Sequence, residues 1–481
     1  MLLRKLFFGL ILGTLSATAG NARLHAAEGG GPLLISVDNP AFRKMVVAIP
    51  GFEAVGTPTS PQAKKLVEEG SAELIRLLNF SGFFTALAPG AYEEAWKNYA
   101  KAHKTKESSA WILDSKGLTG PDLTQFRALG MESLTMASVQ DDPVKGITIS
   151  FKTVDIGRGK DVLAKQFTRV TDYKATLRQY ADYLLEAYTG KPGIFNSKIV
   201  FIGRRTKASN KQVFVVDFDG SNLTQVTTGE YPHLSANWSP DGRSLVFTAY
   251  EFRNPDIFTY DTQTRVKKRL TTTPGLDSGG NFAPNGKLVA YTSSRGDDTD
   301  IYTTTVNGTD RKLLIEGSGL DVDPKFSPDG KWIAFVSGRY VNPHIFVGAL
   351  QWNGDNPKVT SDKRLTYAGW YNATPAWSPE SDKIAFGGYD RDIDRWDLFM
   401  MNPDGSKLER LTLKSGDNES PSFSPNGQLI VYQSNRVGEA NVKGLSSIWI
   451  MNRDGSNQHK LEISGIYDAQ TPQWSRNRKL D

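Results

Sequence analysis

The chain has 481 residues, 39% hydrophobic and 23% charged, with 45 Gly, 24 Pro and no Cys, a composition that excludes intrinsic disorder, a collagen-like rod and a disulfide-stapled scaffold. The formal charge is +5, from 57 Lys and Arg against 52 Asp and Glu, and three of the bases (Arg4, Lys5, Arg23) lie in the first 27 residues, which hold no acid. What is left is too weak and too evenly spread to make nucleic acid or an anionic membrane surface the main partner.

Residues 1–27 have the layout of a secretory signal peptide. Arg4 and Lys5 precede the apolar run Leu6 to Leu15, and small residues follow in Ala17-Thr18-Ala19 and Ala26-Ala27. The run is short of the ~20 residues that a membrane span requires. Cleavage after Ala19 and cleavage nearer Ala27 both remain open, and either leaves a protein expected outside the cytoplasm and not spanning a membrane.

Residues 28–192 read as an α/β domain. Leu33-Leu34-Ile35-Ser36-Val37 and Met45 to Ile49 have strand composition. Ser60-Pro61 supplies an N-cap and a first-turn proline for a helix carrying Leu66, Val67, Leu74, Leu77 and Leu78. Leu134–Val139, Ile147–Val154 and Val162–Phe167 are further strands, and a last helix carries Leu177, Tyr180, Leu184, Leu185 and Tyr188. Thr189-Gly-Lys-Pro-Gly193 stops it.

Residues 196–481 are built on a repeat. Trp238-Ser-Pro-Asp-Gly242 returns at Phe282, Phe326, Trp377, Phe423 and, degraded, at Trp474, with spacings of 44, 44, 51, 46 and 51 residues. Alternating apolar runs such as Leu245-Val-Phe-Thr248 and Asp256-Ile-Phe-Thr-Tyr260 follow, then a polar turn and a short strand ending in Leu-Thr. Four strands per unit of this length indicate a β-propeller. Ile199–Ile202 and Val213–Val216 match the second and third strands of a unit that lacks an aromatic phrase, and Pro472-Gln-Trp-Ser475 is an inner strand without followers. The expected architecture is therefore a six-bladed ring whose last strand completes the first blade, behind an N-terminal α/β domain.

The order of signal peptide, α/β domain and Trp-Ser-Pro-Asp-Gly propeller resembles the TolB family of the Tol-Pal system of Gram-negative envelopes. Phe126-Arg-Ala-Leu-Gly130, Phe151-Lys-Thr-Val-Asp-Ile156 and Tyr188-Thr-Gly-Lys-Pro-Gly-Ile-Phe195 stand where that family has similar phrases. Arg178 is a departure, since the family usually has histidine in that helix. The resemblance implies a periplasmic adaptor, monomeric by itself, that binds the peptidoglycan-associated lipoprotein Pal at the propeller mouth and TolA through the N-terminal segment, serving outer-membrane integrity and constriction during division.

A propeller of this type also precedes some peptidases, so a secreted hydrolase or lyase acting on peptides or glycans is the rival. The chain has no Gly-x-Ser-x-Gly elbow and no cysteine nucleophile. His103, His233, His344 and His459 are scattered and read as surface or loop residues. Asp390-Arg-Asp392-Ile-Asp394 opens like a calcium loop but has Arg395 at the sixth position and Met401 at the twelfth, where Gly and Glu are needed. No catalytic residue, metal site or cofactor is expected.

What remains is binding. The connections that lead into each inner strand ring one mouth of the channel, and they mix aromatics with Asp and Asn in the manner of a recognition surface. The candidate residues for Pal are His233, Leu276, Asp277, Val322, Asp323, Tyr371, Asn372, Asn418, Glu419, Tyr467 and Asp468. For TolA they are Leu33, Leu34, Ile35, Ser36 and Val37, behind the Glu28-Gly-Gly-Gly-Pro32 lead. That segment reads equally as an ordinary first strand and as one released to a partner's sheet.

Overall fold

A computed structural model describes residues 44–103, 121–252, 254–295, 298–413, 415–436 and 445–476. The leader and Leu33–Val37 lie outside them.

The N-terminal sheet runs β3(Phe84–Leu87), β1(Met45–Ala48), β4(Ser133–Asp142), β5(Gly146–Asp155), β6(Lys160–Phe167), with β2(Glu53–Val55) also on β4. β1 is parallel to both neighbours and β4, β5 and β6 form an antiparallel meander. Helix α1(Pro61–Phe80) starts where Ser60 accepts the Ala63 N–H at 3.2 Å. Two shorter helices, α2(Glu93–His103) and α3(Pro121–Ala128), precede β4, and α4(Tyr173–Thr189) starts at Asp172 and stops at left-handed Gly190.

Period-two burial splits the sheet cleanly. Val47, Val139, Ile149 and Phe151 join the core beneath α1 and α4, while Ala48, Leu134, Met136 and Val154 face Tyr92, Ala95 and Phe126 of the α2–α3 region. Helices thus cover both faces. β2, β3, α2 and α3 have no counterpart among the predicted elements.

The second part is six antiparallel four-stranded sheets around a channel: β10–β13 within residues 233–269, β14–β17 within 277–315, β18–β21 within 321–364, β22–β25 within 371–410, β26–β29 within 418–460, and a sixth that joins, in spatial order, β30(Asp468–Trp474), β7(Lys198–Arg204), β8(Gln212–Asp217) and β9(Thr224–Gln225). The last is the predicted closure. β30(Asp468–Trp474) pairs with β7(Lys198–Arg204), setting Trp474 opposite Ile199, and the Trp474 Nε1–H donates to Ser197 Oγ at 2.7 Å. The Ser-Pro-Asp-Gly acids are turn corners, as expected. Asp329 accepts from Ser327 Oγ at 2.6 Å and from the Lys331 N–H at 3.1 Å, and Gly330 sits at φ 72°. The Leu-Thr threonines act on the next strand over: Thr271, Thr366 and Thr412 accept the Ile257, Ile345 and Leu398 N–H through Oγ1 at 2.9 to 3.0 Å.

Every inner strand carries a bulge. The register with the second strand shifts between Leu234 and Asn237, Ser278 and Asn281, Val322 and Lys325, Ala373 and Ala376, Glu419 and Ser422, and Gln470 and Gln473. At its centre a residue takes positive φ: Ser235, Gly279, Asp323, Thr374, Ser420 or Thr471. Three of these donate their N–H to a threonine of the preceding blade at 3.3 Å, Gly279 to Thr248, Asp323 to Thr292 and Ser420 to Thr374.

The two parts are welded by apolar and ionic contacts. Phe80 of α1 stands edge-on to Phe218 at 4.9 Å, and Arg178 of α4 pairs with Asp217 at 2.7 Å. At the connection Asp182 accepts the Phe195 N–H at 2.9 Å and the Asn196 amide at 2.8 Å. Gly193 lies against that carboxylate so closely that a Cβ would sit 1.8 Å from Asp182 Oδ1, so no other residue fits there.

Candidate functional site

The N-terminal domain and its connection occupy one side of the ring, which leaves two unlike mouths. The side bearing the Ser-Pro-Asp-Gly turns has a cavity of about 580 Å³ that Pro192 helps to line, and Lys191 reaches across to Glu380 at 3.2 Å. The opposite mouth is framed by the starts of the inner strands and the loops between second and third strands. Among the thirteen large apolar side chains exposed on the described residues, eight stand on loops of this face: Tyr231, Phe252, Leu276, Tyr340, Val341, Tyr367, Trp370 and Leu413.

One of these loops is strained. Val341 is 93% exposed, yet its φ is 75°, a conformation a β-branched residue avoids. The Asn342 N–H closes onto the Tyr340 carbonyl at 2.9 Å, which makes the segment a γ-turn of the disfavoured hand. Such strain collects where a surface is shaped for use.

Five of the eleven predicted mouth residues do not face solvent, which corrects the reading of the whole set as a surface. Each opens an inner strand and turns its polar group into the blade junction. His233 is buried against Glu251 at 3.2 Å. Asp277 accepts from Thr273 at 3.1 Å. Asn372 donates to the Ala368 carbonyl at 2.9 Å and contacts His344 Nδ1 at 3.0 Å. Asn418 accepts from Ser434 at 2.8 Å, and Asp468 holds the Ser446 N–H at 3.0 Å and Arg204 at 3.2 Å. Asp321, absent from the predicted set, is the sixth member, held by Arg339 at 3.0 Å. The physical reason is the blade geometry: the start of an inner strand lies inside the wall of the ring, where groups of its own sheet, such as Glu251, Arg339 and Arg204, and of the preceding connection close over it.

Leu276, Val322, Asp323, Tyr371, Glu419 and Tyr467 do reach the mouth, half-buried or exposed. Burial pushes the Asp323 carboxyl up, and the neighbouring Lys325 offsets this only in part. Burial likewise depresses the Lys325 ammonium, which donates to Asn237 Oδ1 at 3.0 Å. Glu419 is pushed up by burial and by Asp417. The histidines also differ from expectation, because His344 is buried as well as His233. Burial, with the charge of Arg364, lowers His344 to about 4, while His459 alone of the three is exposed. Asp390 pairs with Arg410 at 3.0 Å and Asp394 accepts the Tyr389 hydroxyl, so the calcium-like run is tied up in the blade. Among the described residues no three His, Asp or Glu side chains gather as metal ligands.

A family model described as the TolB beta propeller domain matches residues 185–478, more than half of the chain. A Tol-Pal system protein TolB from Hydrogenovibrio crunogenus is 40% identical over 341 residues, 69% of this chain and 75% of that one. The chain belongs to the TolB family. Another TolB, from Desulfosudis oleivorans, is 31% identical over 237 residues, 48% of this chain. Against the relatives from Desulfosudis oleivorans and Albidiferax ferrireducens the match spans about half or less of their length, 49% and 37%. The crystal structure of TolB from Acinetobacter baumannii superposes with a TM-score of 0.71 at 23% identity, covering 90% of this chain and 97% of that one, which establishes the shared fold. In this TolB-family chain the position of the departing Arg178 is a domain contact, since its partner Asp217 also binds Lys198 at 2.5 Å and Asn222 at 2.7 Å. No helix among the described residues is long and apolar enough to cross a membrane.

Proposed function

We propose that the protein is a non-enzymatic periplasmic adaptor of the Tol-Pal system. Its propeller mouth binds the peptidoglycan-associated lipoprotein Pal, its N-terminal segment Leu33–Val37 binds TolA, and the linkage supports outer-membrane integrity and constriction at division, with other envelope proteins as further partners. The observation that carries the mouth reading is the collection of eight exposed apolar side chains on the face that the N-terminal domain leaves open. A surface of that kind, rimmed by polar groups, is the signature of a protein interface. The half-buried Asp323 and Glu419 supply polar selectivity at its centre. The TolA reading rests on family membership and on the glycine-rich lead before Leu33.

The test is calorimetry with purified Pal. Val341→Asp combined with Tyr367→Ser should weaken binding at least tenfold, because truncating a desolvated anchor costs about 2 kcal/mol, without changing the melting curve. Val266→Asp, 61% exposed on the opposite side of the ring, should bind like the parent. Equal binding by all three proteins would remove Pal from this mouth.

A further inference from the structure

Beside Tyr371, at the rim of the β22–β25 sheet, five side chains form a groove of about 340 Å³: Pro343, Trp370, Tyr371, Tyr389 and Trp396. Every lining residue is aromatic or proline. Trp396 stands edge-on to Tyr371 at 5.1 Å and tilted against Tyr389 at 5.7 Å, so ring faces as well as edges border the space. Trp370 is 49% exposed.

The charges around this groove are one-sided. The Tyr389 hydroxyl donates to Asp394. Asp417 accepts the Trp396 N–H at 3.0 Å. Besides burial, the Tyr371 hydroxyl feels Asp323 and Glu419, and Tyr389 feels Asp394 and Asp417 against Arg391 alone. Arg410, the other nearby cation, is engaged by Asp390 and Asp397. Four carboxylates therefore act on the two tyrosines against the guanidinium of Arg391. That guanidinium already lies 4.8 Å from the centre of the Trp370 ring, which shows the kind of group this surface accommodates.

A ring face carries partial negative charge and attracts cations, the more so when carboxylates stand behind it and water is partly excluded. An anionic group would be repelled here, and an aliphatic one would leave the carboxylates unanswered. We infer that this groove receives a cationic side chain, a lysine ammonium or an arginine guanidinium, presented by the protein docked at the mouth. The inference rests on the mouth reading given above and names the chemistry of one of its contacts.

The experiment has two arms that fail separately. In the first, tryptophan fluorescence of the intact protein is titrated with arginine amide and with tetramethylammonium, and with acetate at matched ionic strength. Saturation is expected with both cations and not with acetate, and Trp370→Leu should abolish it. In the second, Pal binding to the parent is compared with binding to Trp370→Leu and Tyr389→Leu, after melting curves show that both variants fold. A cation–π contact of about 0.5–2 kcal/mol corresponds to a loss of roughly twofold to thirtyfold. A flat titration with both cations, or Pal binding unchanged in both variants, overturns the inference. If Pal fails to bind the parent, the mouth reading falls, and the titration alone then decides the groove: saturation sustains it and a flat response sinks it.

Discussion

Three blades carry tryptophan in the repeat phrase and three of the others carry phenylalanine, so a Trp→Phe change at each tryptophan isolates what the indole N–H contributes. The three indoles differ in one respect. Trp474 donates to Ser197 Oγ at 2.7 Å, and Trp377 donates to the Lys325 carbonyl at 2.9 Å. The Trp238 Nε1–H is buried with no partner among the described groups. Phenylalanine leaves a smaller ring and a small void at all three sites, a cost common to the set. At positions 474 and 377 a hydrogen bond worth about 1 kcal/mol is lost in addition, whereas at 238 removal of an unsatisfied donor returns about 1–3 kcal/mol of desolvation. Trp474→Phe and Trp377→Phe should therefore be less stable than Trp238→Phe by about 2 kcal/mol. For a domain of this size that is a difference in Tm of roughly 3 °C. Denaturant titration at constant m value and differential scanning calorimetry measure it. Trp238→Phe falling as far as the other two would refute the reasoning, because burial of the ring, and not the fate of its N–H, would then govern all three sites.

Other expectations follow from the same contacts. His344 is held neutral down to about 4 while an unfolded histidine titrates near 6.5, so the unfolded state takes the proton first and stability should fall as the pH drops from about 6.5 to about 4, then level off; His344→Gln should flatten that segment of the pH profile in urea titrations. Val341→Gly should raise Tm or leave it unchanged, since relief of about 1–3 kcal/mol of strain offsets the entropy glycine adds to the unfolded chain, and it should weaken Pal binding by removing an exposed apolar group. Arg178→Met should cost about 1–3 kcal/mol by leaving Asp217 short of a partner, and hydrogen exchange should rise first around Phe80 and Phe218. Deletion from Thr471 onward removes the inner strand of the blade formed by β7, β8 and β9 and should abolish the cooperative melting transition; a truncated protein that melts like the parent would contradict ring closure.

The repeat phrase made the ring legible without coordinates, because its turn chemistry and aromatic anchor recur at near-constant spacing, and the orphan strand at Gln473-Trp474 disclosed the closure. The helices beginning at Pro61 and Tyr173 were legible from their caps and apolar spacing. Phe84–Leu87 was not, since four residues hydrogen-bonded in parallel to β1 show no alternation long enough to recognise. His233, Asp277, Asn372, Asn418 and Asp468 misled for a physical reason. A polar residue next to a turn looks solvated in one dimension, and only the folded blade shows that its side chain is closed over. The aromatic groove was hidden by distance, because Pro343, Trp370 and the facing pair Tyr389 and Trp396 come from three separate turns of the chain.

The bulges in the inner strands have a consequence for how anything can be held at the channel. Six strand edges face one another across a narrow space, a geometry that would invite an extended foreign peptide to pair with whichever edge it touched first. In four of the six the bulge residue is followed by proline, at Pro324, Pro375, Pro421 and Pro472, and proline offers no N–H to a visiting strand. The left-handed residue before it bends the edge out of register and commits its own N–H elsewhere, as in Asp323, Ser420 and Thr471, which donates to Gln433 at 2.8 Å. At these four strands a guest finds no regular backbone ladder to join. Recognition there falls to side chains, by shape and charge, and an unfolded chain finds little backbone to pair with.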